Sequence, residues 1–299
     1  MGMTKSEALL FSIAQEKGFF FDRKVSIKLN TVPYSRKSME QMIDNMLDVA
    51  YLVEINIAYL GYLNSKIPIK CIASLEQRSS DNLIFRHKEG ENPTPDDLWG
   101  KTIGFMPRTT SHGFLMRFLE KNNIPRHAVT LKPISPQAMP NALLRGEVDA
   151  ISVWEIFTQN TIIAMHELGI PYTRFKNNGI YESEVVLAVT KPFLIKNRNT
   201  CMNIISALKD AENYLTDNPD KASALLLNKI GIDTNTLKNI DPEKYKNALK
   251  RTTPKLKPVG QSFLENLEFL GKWISEEDTQ FKGQPLPDYS DFIDNSLFP

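Results

Sequence analysis

The run Arg108-Thr109-Thr110-Ser111-His112 places three hydroxyl side chains between an apolar strand-like segment, Lys101–Phe105, and a stretch with Phe114, Leu115, Phe118 and Leu119 on one helical face. Hydroxyls and the unpaired backbone N–H groups of a helix start suit an anion. The same residue types are the ordinary N-caps of helices, and both roles stand open here. Arg108 would add positive charge to such a site or lie solvated. A second pair, Trp154-Glu155, follows the apolar run Ala150–Val153, at the carboxyl end of a strand, where open α/β sheets bind ligands. There Glu155 could hold an amine or a ring N–H while Trp154 offers a stacking face; a core Trp and a helix-start Glu fit equally well. Of the four His residues only His112 lies beside a candidate loop, and Asp149 reads as a turn residue.

These residues need a scaffold to position them. Apolar spacing predicts a helix from Ser6 to Ala14 ending at Gly18, a strand at Val25–Val32 and a helix at Ser38–Met46, and Val49–Ile57 is too apolar and β-branched for a surface element. Strands are expected at Ile67–Ala73, Asn82–Arg86, Lys101–Phe105, Val129–Ile134, Ala150–Trp154 and Val185–Val189, with helices following near Phe114, Gln137 and Ile156. Such alternation implies parallel α/β sheets, here in two blocks. From Asn199 onward the pattern is helical: one helix to about Leu215 stopped by Asn218-Pro219, another to Asn228 closed by Gly231, a start at Asp241-Pro242, and an amphipathic stripe of Phe263, Leu267, Leu270 and Ile274 before a Pro-rich tail. Met1-Gly2-Met3 reads as a cloning scar ahead of the first helix.

The charge balance narrows the function. Lys plus Arg number 36 and Asp plus Glu 35 in 299 residues, so no basic excess is present to track a phosphate backbone and nucleic acid is not an expected partner. Cys71 and Cys201 sit among apolar residues and read as two buried thiols, a disulfide being the alternative. No His pair has metal-ligand spacing, and no Gly-rich phosphate loop or G-x-S-x-G elbow occurs, so neither metal nor cofactor is expected. No stretch has the length of a membrane span, and no signal peptide is seen in the chain.

Between residues 97 and 155 the order of features becomes specific. Asp97-Leu98-Trp99-Gly100-Lys101-Thr102-Ile103-Gly104-Phe105 leads into Thr109-Thr110-Ser111-His112 and Leu115-Met116-Arg117-Phe118-Leu119, followed by Ala142-Leu143-Leu144-Arg145-Gly146-Glu147-Val148-Asp149-Ala150 and Val153-Trp154-Glu155. Together with Ala14–Phe20, Asp48-Val49-Ala50 and Lys257-Pro258-Val259, this resembles the solute-binding proteins of ABC importers for aliphatic sulfonates, taurine, nitrate and thiamin-precursor pyrimidines. The resemblance implies a type II periplasmic binding fold: two α/β lobes, residues 1–84 with 188–299 and residues 85–187, joined by crossing strands near Leu83–Arg86 and Val185–Val189, with a helical C-terminal third. It implies a non-enzymatic monomer, periplasmic or otherwise extracytoplasmic, that closes on a small polar organic ligand and delivers it to a membrane permease. A ligand-sensing domain of a membrane signalling protein, or an enzyme on the same fold, is the alternative.

Two departures from the family pattern matter. The family begins with a strand and a ligand-touching loop, whereas this chain reads as opening at the first helix. The loop after Asp48, usually small and hydroxyl-rich, reads Ala50-Tyr51-Leu52-Val53-Glu54 and sets Tyr51 and Glu54 at the expected cleft. Two carboxylates facing one cleft repel unless a cationic group lies between them, which favours a zwitterion or an aminated ring over a bare anion. Ser38 and Tyr181, the latter just before a crossing strand, complete the expected ligand contacts.

Overall fold

A computed structural model describes residues 2–4, 9–32, 34–63, 67–221 and 254–298. Among them two compact units separate: residues 2–77, 184–221 and 254–298 form unit 1, and residues 78–183 form unit 2. The chain passes from one to the other at Gln77/Arg78 and returns at Ser183/Glu184, whereas the sequence reading set the breaks after residues 84 and 187.

Unit 1 holds strands β1 (Gly2–Thr4), β2 (Asn30–Val32), β3 (Val49–Val53), β4 (Ile69–Arg78), β10 (Ser183–Thr190) and β11 (Pro254–Lys257), in the order β11-β4-β10-β3-β1-β2. Unit 2 holds β5 (Asp81–Arg86), β6 (Thr102–Phe105), β7 (Thr130–Pro133), β8 (Ala150–Trp154) and β9 (Tyr172–Lys176), in the order β7-β6-β8-β5-β9. The two sheets share one plan. Three parallel strands run second-first-third, and beside the third lies an antiparallel strand that has just arrived from the other unit: β10 beside β3, and β5 beside β8. This is the two-unit α/β architecture, with two crossings, expected of a type II binding fold.

Burial explains which strands the sequence announces. Every residue of β3 and β10 is buried, as are the first five of β5, and within them Val49–Val53, Val185–Val189 and Leu83–Phe85 read as unbroken apolar runs, the signature of strands covered on both faces. Each fully buried aliphatic side chain contributes about 1.5–3 kcal/mol. Helices α1 (Leu9–Glu16), α2 (Phe19–Asp22) and α9 (Arg198–Asp217) pack together over this sheet, with Phe11 stacked on Phe20 at 5.9 Å between ring centres. The break between α1 and α2 falls at Gly18, whose φ of +76° is left-handed.

Several expectations are corrected. Gly2–Thr4 is not a scar ahead of the first helix but the strand β1, paired in parallel with both β2 and β3. β2 pairs with β1 over Asn30–Val32, and Val25–Leu29 forms no strand. Leu83–Arg86 and Val185–Val189 are not the crossings: each pairs wholly inside one sheet. The long strand β4, ten residues, carries the chain out through Glu76 and Gln77, past the end of its apolar run. Residues 54–62 form a helix, α4 (Glu54–Tyr62), which the sequence hides because eight of its nine residues are buried and no amphipathic period exists. The expected helices ending at Asn228 and starting at Asp241 lie outside the described residues.

The Pro-rich tail is packed rather than loose. Helix α10 (Gln261–Glu277) lies on α4, and Tyr289 from the tail fits against both. Its hydroxyl donates to the Ala58 carbonyl at 3.0 Å, while Tyr62 O–H donates to the Gly271 carbonyl at 2.7 Å. Gly271 is required by this contact, since a β-carbon there would stand 2.7 Å from both Leu286 Cδ1 and Tyr289 Cε2. Both thiols are free and buried, which settles the disulfide alternative against pairing. Among the described residues no helix is long and apolar enough to cross a membrane. Gly271→Ala is expected to cost about 1–3 kcal/mol through overpacking, lowering the thermal midpoint by several degrees; an unchanged midpoint in differential scanning calorimetry would show that the tail gives way freely.

Candidate functional site

In unit 2, β6 ends at Phe105 and helix α5 (Thr110–Lys121) begins five residues later. The turn is closed by Arg108 in a left-handed conformation, φ +63°, with its backbone N–H donating to His112 Nδ1 at 3.2 Å. That bond requires Nδ1 to be an acceptor and therefore a neutral ring. The environment agrees: burial above all, then the positive charges of Arg126 and Arg108, pushes the His112 pKa down to about 3.

The three hydroxyls expected to meet a ligand are already engaged. Thr109 Oγ1 donates to the Met106 carbonyl at 2.8 Å and lies 3.0 Å from Ser111 Oγ; Thr110 Oγ1 donates to Asp81 Oδ1 at 3.0 Å. Ser152 Oγ on β8 donates to the Ser111 carbonyl at 2.8 Å and locks the helix start onto the sheet. The N–H groups of His112 and Gly113 fold back on the Thr109 carbonyl, while those of Thr110 and Ser111 stand in the first turn, where no intrahelical acceptor exists. Asp81 opens β5, is fully buried, and pairs in register with Trp154. Its carboxylate brings to the α5 start the negative charge that the dipole favours and that an anionic ligand would otherwise supply.

Trp154 ends β8 half-buried, its ring edge-on to Phe157 at 5.2 Å and 86°. Tyr181 is buried, its backbone bracketed by Asn177, which accepts its N–H at 2.9 Å and donates to its carbonyl at 2.6 Å. Its hydroxyl lies so near α5 that a β-carbon at Gly113 would approach it to 2.7 Å. Unit 2 therefore gathers Thr109, Thr110, Ser111, Trp154 and Tyr181 around the carboxyl ends of β6 and β8. Glu155 opens α7 (Glu155–Glu167), and its side chain lies outside the described ones.

In unit 1 the expected residues divide. Tyr51 O–H donates to Glu76 Oε2 at 3.0 Å, and Glu54 Oε2 accepts the Glu184 N–H at 2.8 Å; Glu184 Oε2 in turn accepts Gln77 Nε2 at 2.9 Å. Ser38, on helix α3 (Ser35–Ile43), is fully buried with a hydroxyl that finds no hydrogen-bond partner, and it belongs to neither chain of bonds. The sequence reading missed Asp81, Glu76 and Glu184. Each is a carboxylate at the end of an apolar strand, and that position was the available signal. Among the described residues no group of three or more His, Cys, Asp or Glu side chains could hold a metal ion. Burial raises both thiols above their ordinary range, Cys201 to about 11, so neither is a ready nucleophile.

A family model described as NMT1/THI5 like matches residues 6–222. A Bacillus subtilis protein named "Putative binding protein YtlA" is 22% identical over 216 residues, which span 70% of this chain and 63% of that protein's length. The structure is similar to the periplasmic aliphatic sulphonate binding protein SsuA of Escherichia coli, with a TM-score of 0.79 at 14% identity over 98% of this chain and 90% of that one. It is also similar to the alkanesulfonate-binding SsuA of Xanthomonas axonopodis pv. citri bound to MOPS, with a TM-score of 0.75 at 14% identity over 98% and 96% of the two chains. These likenesses establish the fold shared with solute-binding components of import systems.

The neutral His112 has a measurable consequence. An unfolded His titrates near pH 6.5. Its folded pKa is about 3, so the native state refuses a proton that the unfolded chain accepts. Stability present above pH 6.5 is therefore lost on acidification towards pH 3, by about 1.4 kcal/mol per pH unit from this residue. Denaturant unfolding of His112→Gln across that range should show an acid limb shallower by one proton; an unchanged slope would show that the folded ring protonates freely.

Proposed function

The chain belongs to the NMT1/THI5-like family, and on that premise we propose that it is an extracytoplasmic solute-binding protein that captures a small polar organic molecule and delivers it to the permease of an ABC importer. The observation that carries the reading is common to both units: polar side chains are buried at the carboxyl ends of parallel strands, where open α/β sheets receive ligands. The proposed ligand contacts in unit 2 are Thr109, Thr110, Ser111, Trp154, Glu155 and Tyr181; those in unit 1 are Tyr51, Glu54 and Ser38. The protein binds and releases without chemistry, which accords with two protonated buried thiols and a neutral buried imidazole.

The ligand is taurine-like or aminopyrimidine-like rather than a bare anion. The E. coli relative binds aliphatic sulphonates, and MOPS, bound by the Xanthomonas relative, carries a tertiary amine beside its sulfonate. Here the carboxyl group of Asp81 already accepts from Thr110, and that of Glu54 is fully buried. A solute presenting an ammonium or ring N–H group satisfies such oxygens, whereas nitrate or a simple alkanesulfonate is repelled by them.

A thermal-shift panel of taurine, alkanesulfonates, nitrate, aminopyrimidines and small zwitterions tests this reading. A ligand at about 100 times its Kd adds roughly 2.7 kcal/mol to the native state, a rise of several degrees for a chain of this size. The expected result is a dose-dependent rise with an amine-bearing class and none with nitrate, weakened at least tenfold in Thr110→Ala/Ser111→Ala. A panel in which only bare anions act would overturn the assignment of the ligand.

A further inference from the structure

We propose that Asn56 is a specificity-determining residue of unit 1, its side-chain N–H2 group donating to a hydrogen-bond acceptor on the solute; this rests on the solute-binding reading above. Asn56 is the third residue of helix α4 and is 1% exposed. Its Oδ1 accepts the Val53 N–H at 3.4 Å, at the point where β3 ends and the helix begins. Only the oxygen of an amide can accept that bond, so the backbone fixes which way round the side chain stands. The other atom, Nδ2, is buried and has no hydrogen-bond partner.

The fold has no use for that nitrogen. Holding the start of α4 takes the oxygen alone, and a side chain without an N–H2 group would do it equally well. A buried donor with nothing to donate to is costly, because its lost hydration is not replaced. Such an atom persists where a ligand supplies the missing acceptor. Its place in the sheet fits that role. β1 runs parallel to both β2 and β3, so α3, which follows β2, and α4, which follows β3, start at the carboxyl end of the same strands. The two helices touch, and α3 brings a second orphan as its fourth residue, the hydroxyl of Ser38, 0% exposed and without a partner. An N–H2 group donates and cannot ligate a cation, so the group that Asn56 meets is an acceptor. Both solute classes proposed above carry one beside their amine, a sulfonate oxygen in the taurine-like class and a ring nitrogen in the aminopyrimidine-like class.

The test reads the nitrogen itself and needs no knowledge of the natural solute. The Asn56 side-chain amide signal in a proton–nitrogen NMR spectrum of the full chain is the one missing from Asn56→Leu, with Asn56→Asp, which keeps the oxygen for Val53, as the second variant should the first fold poorly. Pyrimidine, methanesulfonate and, as a probe with no acceptor, ethylammonium are added at millimolar concentration and constant ionic strength. The expected result is a saturable movement of that signal with pyrimidine or methanesulfonate, whichever acts naming the source of the acceptor, and none with ethylammonium. A signal that stays still with both acceptors, or moves equally with ethylammonium, would overturn the assignment. In the thermal-shift panel, any solute that stabilises the wild type is expected to bind at least tenfold more weakly to Asn56→Leu and Asn56→Asp. If a panel solute binds the wild type and both variants equally, the solute-binding reading survives and the role of Asn56 falls. If the Asn56 signal answers an acceptor while no panel solute acts, the role of Asn56 survives and the assignment of the solute falls.

Discussion

Central strands buried on both faces have nowhere to put a polar group except at their ends, and that constraint organises both units. β3 and β10 are buried throughout, so the first polar side chains available are those at the strand ends, Glu54 and Glu184. The Glu184 N–H to Glu54 Oε2 bond joins them at the point where the returning chain enters the sheet of unit 1. A charged oxygen accepting a backbone N–H is a stronger bond than a neutral pair would make. It fixes the position of the first residue of α4, and with it the helix against which α10 and Tyr289 pack.

Unit 2 meets the same constraint with different groups. Its antiparallel newcomer, β5, opens on Asp81 as β10 opens on Ser183-Glu184, and that carboxylate is spent on the hydroxyl of Thr110. The α5 start is further tied by Ser152 and by a neutral His112 that accepts the Arg108 N–H. A protonated His112 could not accept that bond, so the left-handed turn at Arg108 and the low basicity of the ring depend on each other. The resulting helix start is preorganised, with its hydroxyls already oriented and two first-turn N–H groups outside the helical ladder.

The elements that could be read from the sequence were those whose burial leaves a trace in local order. β8 at Ala150–Trp154 and α9 near Asn199–Leu215 are found nearly residue for residue, because an apolar run or a 3.6-residue stripe is a local signal. α4 leaves no stripe because it is buried all round. β9 is a half-buried edge strand with Arg and Lys in it, and Val25–Leu29 alternates convincingly yet forms no strand. The site divides in the same way. Thr109, Thr110 and Ser111 announce a helix start by themselves, whereas Tyr51 meets Glu76 across 25 residues and Glu54 meets Glu184 across 130. Pairings of that range are set by strand order, and strand order is not written in any local window.

This separation explains how proteins at 14% identity keep one fold. The apolar runs that set strand order need only be apolar and of suitable volume, so their residues exchange freely. The residues at strand ends are under the opposite regime: each buried charge must have a partner, and replacing one leaves its partners unsatisfied. Changes there must come in matched sets, or with a ligand that completes the set. Among the described residues, Glu184 is held through one carboxylate oxygen by Gln77 and through its backbone by Glu54, while its other oxygen is buried without a hydrogen-bond partner.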